Sequence, residues 1–175
     1  APVDIGDQLL SSLMAQMRSR WPKDDVELVL VNRYVDLVAE GVDVAIRTGP
    51  LKDSTLIARP VGVARWALFA SPDYLAGAAA IEAPQALRHH ACLQFTSLGK
   101  ESWDLQDEAA NSVTVPLSRQ TLINDVGLIM TMVLAGEGVA LLPSYLCRQA
   151  CDEGRLVAVL PQWQGKADPI HIVYP

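Results

Sequence analysis

Arg47, Thr48 and Gly49 bring together a guanidinium, a hydroxyl and an unshielded backbone at the end of the short apolar run Val42 to Ile46. In an open α/β sheet, ligands gather in the crevice beyond the carboxyl ends of parallel strands, so this triplet is expected at the mouth of a small-molecule cleft. Arg47 there could hold an anion through a charge-assisted hydrogen bond worth about 1.5 to 3 kcal/mol. The competing reading makes Arg47 a partner inside its own lobe, and Thr48-Gly49 a simple turn.

Other reactive residues point away from catalysis. His89 and His90 beside Cys92 suggest a nucleophile and base, yet no glycine-rich elbow surrounds any Ser or Cys. Gly136-Glu137-Gly138 follows a helical pattern and precedes a strand pattern, the reverse of a dinucleotide fingerprint. Cys147 and Cys151 lie four apart, which on a helix is one face, so metal binding and oxidant sensing are both open. The remaining nitrogen ligands, His89, His90 and His171, lack zinc-type spacing, and small buried cysteine is the commoner arrangement. No enzyme activity, metal or cofactor is expected.

The elements that must position these residues follow from periodicity. Asp7 to Arg20 carries Leu9, Leu10, Leu13, Met14 and Met17 at helical spacing, with Asp4 and Asp7 as a capping arrangement. Val26 to Val31 reads as a strand, Tyr34 to Glu40 as a short helix stopped at Gly41, and Val42 to Ile46 as a second strand, predicting a right-handed parallel crossover. Trp66 to Ala70 is a strand, and Ser71 with Pro72 caps a brief helix. Cys92 to Phe95 is another strand, and Thr96 to Lys100 a polar turn. Trp103 to Gln106 and Ser112 to Val115 form a hairpin. Asn124 caps a strongly periodic helix bearing Val126, Ile129, Met130, Val133 and Leu134. Val139 to Leu142, a helix capped by Ser144, and strands at Leu156 to Leu160 and Ile170 to Tyr174 complete the chain. Alternating strands and helices imply mostly parallel sheets covered by helices in two lobes, hinged at Trp66 to Ala70 and Ile170 to Tyr174.

Composition limits the partners. A net charge of −6, with fourteen basic residues scattered among twenty acidic ones, leaves no stripe for nucleic-acid phosphates. Three cysteines cannot complete a disulfide framework, so reduced thiols in a reducing compartment are expected. Apolar runs stop well short of the roughly 20 residues that cross a bilayer, and no basic-then-apolar leader opens the chain, so no membrane partner and a cytoplasmic location are expected.

The blocks GVDVAIRTGPLKDSTLIARP, WALFASPDYL, LAGEGVALLP, GRLVAVLP and IHIVYP, in this order over nearly the whole chain, resemble the effector-binding domain of LysR-type transcriptional regulators. The resemblance implies a bacterial protein with a two-lobed α/β fold like that of type II periplasmic binding proteins. Lobe I would hold residues 1–66 and 168–175, and lobe II residues 67–167. It implies a truncated chain that lacks an N-terminal winged helix-turn-helix domain, through which alone DNA would be bound. The first sheet strand and the last helix are expected to be missing too.

By position, the resemblance carries effector contacts onto Pro2, Val3 and Asp4, onto Arg47, Thr48 and Gly49, onto Thr96, Ser97 and Leu98, and onto Asn124, Asp125 and Val126. Asp4 stands where relatives carry hydroxyls, which favours a polar or zwitterionic effector with its anionic part at Arg47. Asp4 as a plain helix cap is the simpler alternative. The first helix and the helix after Asn124 have more apolar positions than one core face needs, and the family pairs such helices antiparallel. The expected homodimer would use Leu10, Met14 and Met17 against Ile129, Met130 and Val133, with a tetramer for the full-length protein. A periplasmic solute-binding protein of a transporter is the alternative on the same architecture.

Overall fold

In a computed structural model, residues 1–5, 10–51 and 55–175 are described, and they divide into two compact units. One comprises Ala1–Ala64 with Asp168–Pro175, the other Arg65–Ala167.

The larger unit is built on a seven-stranded mixed sheet. Its strands are β3 (Trp66–Ala70), β4 (Cys92–Phe95), β5 (Ser102–Asp107), β6 (Ser112–Pro116), β7 (Gln120–Ile123), β8 (Val139–Pro143) and β9 (Val157–Gln164). They run in the order β6-β5-β9-β3-β8-β4-β7. Only β4 pairs in parallel, with β7 and with β8, while the other pairs are antiparallel, so the sheet is mixed where mostly parallel strands were expected. The reason lies in the connections, since β5 returns through a tight hairpin and β9 runs back beside β3. Leu68, Val139, Ala140 and Leu142 on the central strands are fully buried, as continuous apolar runs covered on both faces must be. Trp66 stacks on Phe95 with ring centroids 5.8 Å apart.

Three helices pack here. α3 (Pro72–Gly77) starts as the sequence predicts, with Ser71 Oγ accepting from the Tyr74 N–H. α4 (Val126–Leu134) buries Val126, Ile129 and Val133, and α5 (Ser144–Asp152) buries Leu146, Cys147 and Ala150. Two caps differ from expectation. Asp125, not Asn124, caps α4, and Ser144 is already the first helical residue of α5 with no side-chain cap. Asn124 and Asp125 are both good caps by type, and the extended φ and ψ of −130° and 118° fall on Asp125.

The smaller unit departs more from its sequence pattern. Its sheet has three antiparallel strands in the order β1-β10-β2, where β1 is Ala45–Thr48, β2 Ile57–Ala64 and β10 Asp168–Tyr174. The expected parallel crossover is absent among the described residues. Val26 to Val31 is extended but joins no sheet among the described residues, where its backbone pairs with Ala1, which donates to the Val29 carbonyl and accepts from the Val31 N–H. Val26, Leu28 and Val29 are all exposed. A β-branched run becomes a strand only when a neighbour accepts its ladder, and here none does. Residues 34–40 form turns closed by Glu40 N–H to the Asp36 carbonyl, too short for the predicted helix.

The first helical segment is likewise shorter than Asp7 to Arg20. A turn α1 (Val3–Ile5) and a helix α2 (Ser11–Arg20) are described, and Asp7 and Leu9 lie outside the described residues. The predicted apolar stripe of α2 is not buried at all: Leu13 is exposed and Met14 and Met17 are half-buried. The small core of this unit is Leu37, Ala45 and Val173, flanked by Val35, Val42, Leu51 and Leu56.

Candidate effector site

In the larger unit, β4 and β7 are adjacent and parallel, with Phe95 opposite Ile123. Their carboxyl ends therefore lie side by side. From one emerges the 3-10 turn Thr96–Leu98, from the other Asn124, Asp125 and the start of α4. Two sequence-predicted segments, 28 positions apart, are brought to one edge, as the rule for parallel strands requires.

The turn is held from below. Gln94, fully buried on β4, donates its amide to the Gly99 carbonyl at 2.8 Å and accepts from the Trp103 indole N–H. Ser97 is exposed, while Thr96 and Leu98 are half-buried. On the helix side, Asp125 Oδ1 accepts the Leu128 N–H at 2.7 Å, so one end group of α4 is already satisfied. The dipole at this end favours an anion, but the Asp125 carboxylate already sits in that field, which leaves hydroxyl and amide chemistry to Ser97, Thr96 and Asn124. Asp125→Ala is expected to cost about 1 kcal/mol by loss of the cap, read as a fall of roughly 4 to 8 °C in melting temperature.

In the smaller unit, Arg47 is engaged inside the fold. Its Nη2 donates to the Val35 carbonyl at 2.8 Å, and its guanidinium lies 4.1 Å from the centroid of the Tyr34 ring. This is the lobe-internal alternative, although with a ring and a carbonyl in place of a salt bridge. Gly49 has φ of 83° and its N–H bonds the Pro169 carbonyl, so its left-handed turn fixes the end of β1 against β10. Thr48 is exposed. The Val3 N–H donates to Asn32 Oδ1 at 3.1 Å, so residues 29–35 anchor both the chain start with Pro2 and, through Val35, Arg47. Asp4 lies in α1.

Sequence reasoning missed the supporting residues. Gln94 and Tyr34 carry no local motif, and their partners come from other elements. A third such group is His90, buried at the head of β4. Tyr74 Oη accepts the Ala91 N–H and shares a hydrogen bond of 3.1 Å with His90 Nδ1, in which the tyrosine donates when Nδ1 carries no proton. That arrangement requires neutral His90. Burial lowers its pKa, and neighbouring His89 lowers it further. The other titratable groups around this pair are Cys92 and Arg119, both of which act on Tyr74. Above the unfolded pKa of about 6.5 neither state carries the proton, and as pH falls below it the unfolded chain takes a proton that the folded chain resists. Stability is therefore expected to fall with pH from about 6.5 down to the depressed native value and then level off. Urea unfolding of His90→Gln between pH 7.5 and 5 should show that slope reduced.

The three cysteines are free thiols, with Cys92 and Cys147 buried and Cys151 half-buried. Burial pushes the Cys92 thiol up to about 12, and that of Cys147 higher than its ordinary value. Cys151 is raised as well. For Cys92 and Cys147 burial thus disfavours the thiolate, the form that acts as nucleophile or metal ligand. Among the described residues no group of His, Cys, Asp and Glu is placed to hold a metal, and no helix is long and apolar enough to cross a membrane.

Polar turns at the carboxyl ends of adjacent parallel strands are where α/β domains gather ligands. The model of the LysR substrate binding domain family matches residues 1–175. The chain belongs to that family. It is 31% identical to the transcriptional regulator PtxR of Pseudomonas aeruginosa over 100% of its own length and 56% of the relative's. The regulatory domain of CrgA, a LysR-type transcriptional regulator from Neisseria meningitidis, is 30% identical with a TM-score of 0.84, covering 99% of this chain and 85% of that one. Full-length AphB of Vibrio cholerae, 25% identical, also superposes with a TM-score of 0.84, over 99% of this chain and 59% of that one. The fold is thus that of the regulatory domains of these regulators, of the type II periplasmic-binding-protein kind. The chain spans about 55 to 60% of the length of the curated relatives it matches. Those relatives are transcriptional regulators, not enzymes, and the transporter-protein alternative is not favoured.

Proposed function

We propose that this chain is the effector-sensing part of a bacterial transcriptional regulator, taking a small polar metabolite at Thr96, Ser97, Leu98, Asn124, Asp125 and Val126. In the smaller unit, Pro2, Val3, Asp4, Arg47, Thr48 and Gly49 are the proposed effector contacts. The observation that carries the reading is the meeting of two polar chain turns at the ends of β4 and β7, in a chain matched over its whole length by a substrate-binding family. With Arg47 tied to Tyr34 and Val35, the effector's recognition rests more on hydroxyl and amide groups than on a single cation. A ligand shifts the two arrangements of such a sensor only by its differential affinity for them.

The signal would leave through a homodimer in the cytoplasm, and DNA would be met through a further domain of the full-length, tetrameric protein. Ile129 and Val133 are fully buried in their own unit and Leu10 is nearly so, which turns these three away from a partner. The interface is better supplied by Leu13, Met14 and Met17 of α2 and by Leu128 and Met130 of α4.

The test is a thermal-shift screen with amino acids, aromatic acids and sugars, because whatever binds the native state raises its melting temperature. A hit should bind at least about tenfold more weakly to the double variant Ser97→Ala, Asn124→Ala, a difference of roughly 1.4 kcal/mol. Unchanged affinity in that variant, with the fold intact, would sink the site.

A further inference from the structure

Away from the strand ends, the larger unit carries a second concavity of about 630 Å³ that the effector site does not use. Its volume is in the range of small-molecule sites. It runs along β5 and β6 and the end of β9, and most of its polar side chains face solvent. Arg65, Lys166, Glu108 and the amides of Gln106, Gln162 and Gln164 all line it, and none makes a side-chain hydrogen bond or ion pair among the described residues. Most of these groups are solvent-exposed, while Asp104 accepts from the Thr114 hydroxyl and Asp107 from Asn111.

The ladder orders these groups along the groove. Gln106 faces Gln164, and Asp107 faces Trp163. Carried onward, that register sets Lys166 toward the Asp104 end and Gln162 toward Glu108. The Gly165 N–H bonds the Trp66 carbonyl, which brings Arg65 and Lys166 to the same end. Gly165 permits that approach, since a Cβ there would lie 2.9 Å from Leu141 and 3.1 Å from Trp66. One end therefore has two cations against the hydrogen-bonded Asp104, and the other has Asp107 and Glu108. Between them stand glutamine amides, each both a donor and an acceptor. Four residues of strand separate Asp104 from Glu108, about 13 Å at about 3.3 Å per residue.

We propose that this groove binds a short extended peptide of about four residues, its free carboxylate at Arg65 and Lys166 and its free ammonium toward Glu108. A peptide of that length spans the same distance, and its amide groups pair with glutamine amides donor to acceptor. Arg65 and Lys166 hold the carboxylate, while Ala167 gives apolar contact to small side chains. This site is separate from the proposed effector site and stands or falls without it.

Calorimetric titration of the protein with tetra-alanine tests it. Saturable binding is expected, weakened at least about tenfold by amidating the peptide's carboxyl end, and also by acetylating its amino end. Lys166→Gln and Arg65→Gln should remove the penalty for amidation, and Glu108→Gln the penalty for acetylation. Ser97→Ala, Asn124→Ala should bind tetra-alanine as the parent does, which separates this groove from the effector site. No binding at millimolar peptide, equal binding of the amidated form, or preference for gluconate over peptide would each overturn the proposal.

Discussion

Trp103→Ala is expected to lower the melting temperature of the larger unit by roughly 15 to 30 °C, from the usual 3 to 5 kcal/mol for truncating a buried tryptophan in a unit of this size. Trp103 is only 1% exposed, and its indole N–H donates to the Gln94 side-chain carbonyl. Removing the ring leaves a cavity and strips a partner from a buried amide, so two penalties fall on one site. Trp103→Phe separates them. It keeps most of the packing but orphans the Gln94 acceptor, and should cost about 1 to 3 kcal/mol. Because the other end of Gln94 holds the Gly99 carbonyl, the turn Thr96–Leu98 should lose its fixed position in both variants. Calorimetry reads the first effect, and amide hydrogen exchange in residues 96–99 reads the second.

Gly138→Ala should be nearly as severe, on the order of 3 kcal/mol or more, because a strained backbone and a steric clash coincide. Gly138 has φ of 156°, and a Cβ there would lie 2.4 Å from the Ala91 carbonyl oxygen and 3.0 Å from its carbon. Those atoms are backbone and cannot swing aside. The same carbonyl accepts the Val139 N–H, and the Ala91 N–H donates to Tyr74, so relief of the clash would cost the start of the β4–β8 ladder and the Tyr74 link together. Gly136→Ala is the control. Its φ is 82°, but the nearest atom is Ser71 Oγ at 3.6 Å, so only the left-handed backbone penalty of about 1 to 2 kcal/mol applies. Chemical denaturation of the two variants should rank them in that order.

The larger unit was legible because its elements announce themselves locally. Val139 to Pro143 is a continuous apolar run that is buried along its length, and Ser71-Pro72 starts α3 where its residue types require. The hairpin of β5 and β6 was equally plain in sequence. In the smaller unit the same reasoning overreached. Val26 to Val31 has the composition of a strand, but composition cannot say whether a neighbour exists to complete the ladder. The candidate site divides in the same way. Strand ends and helix starts were visible, and the neighbours Asn124 and Asp125 could be told apart as caps only by backbone angles. The capture of Arg47 by Tyr34 and Val35, thirteen and twelve positions away, has no periodic signature. Nor has the reach of Gln94 to Trp103.

The middle strand of the three-stranded sheet comes from the far end of the chain. β10 is laid between β1 and β2, which precede it by about a hundred residues or more. On the ribosome, everything the larger unit needs has been made before that strand is synthesised. The inserted unit contains all of its own strands, while its host keeps two unjoined margins until β10 emerges. A chain truncated after Ala167 and released from the ribosome should yield a protease-resistant fragment beginning near Arg65, with the residues upstream still open to cleavage.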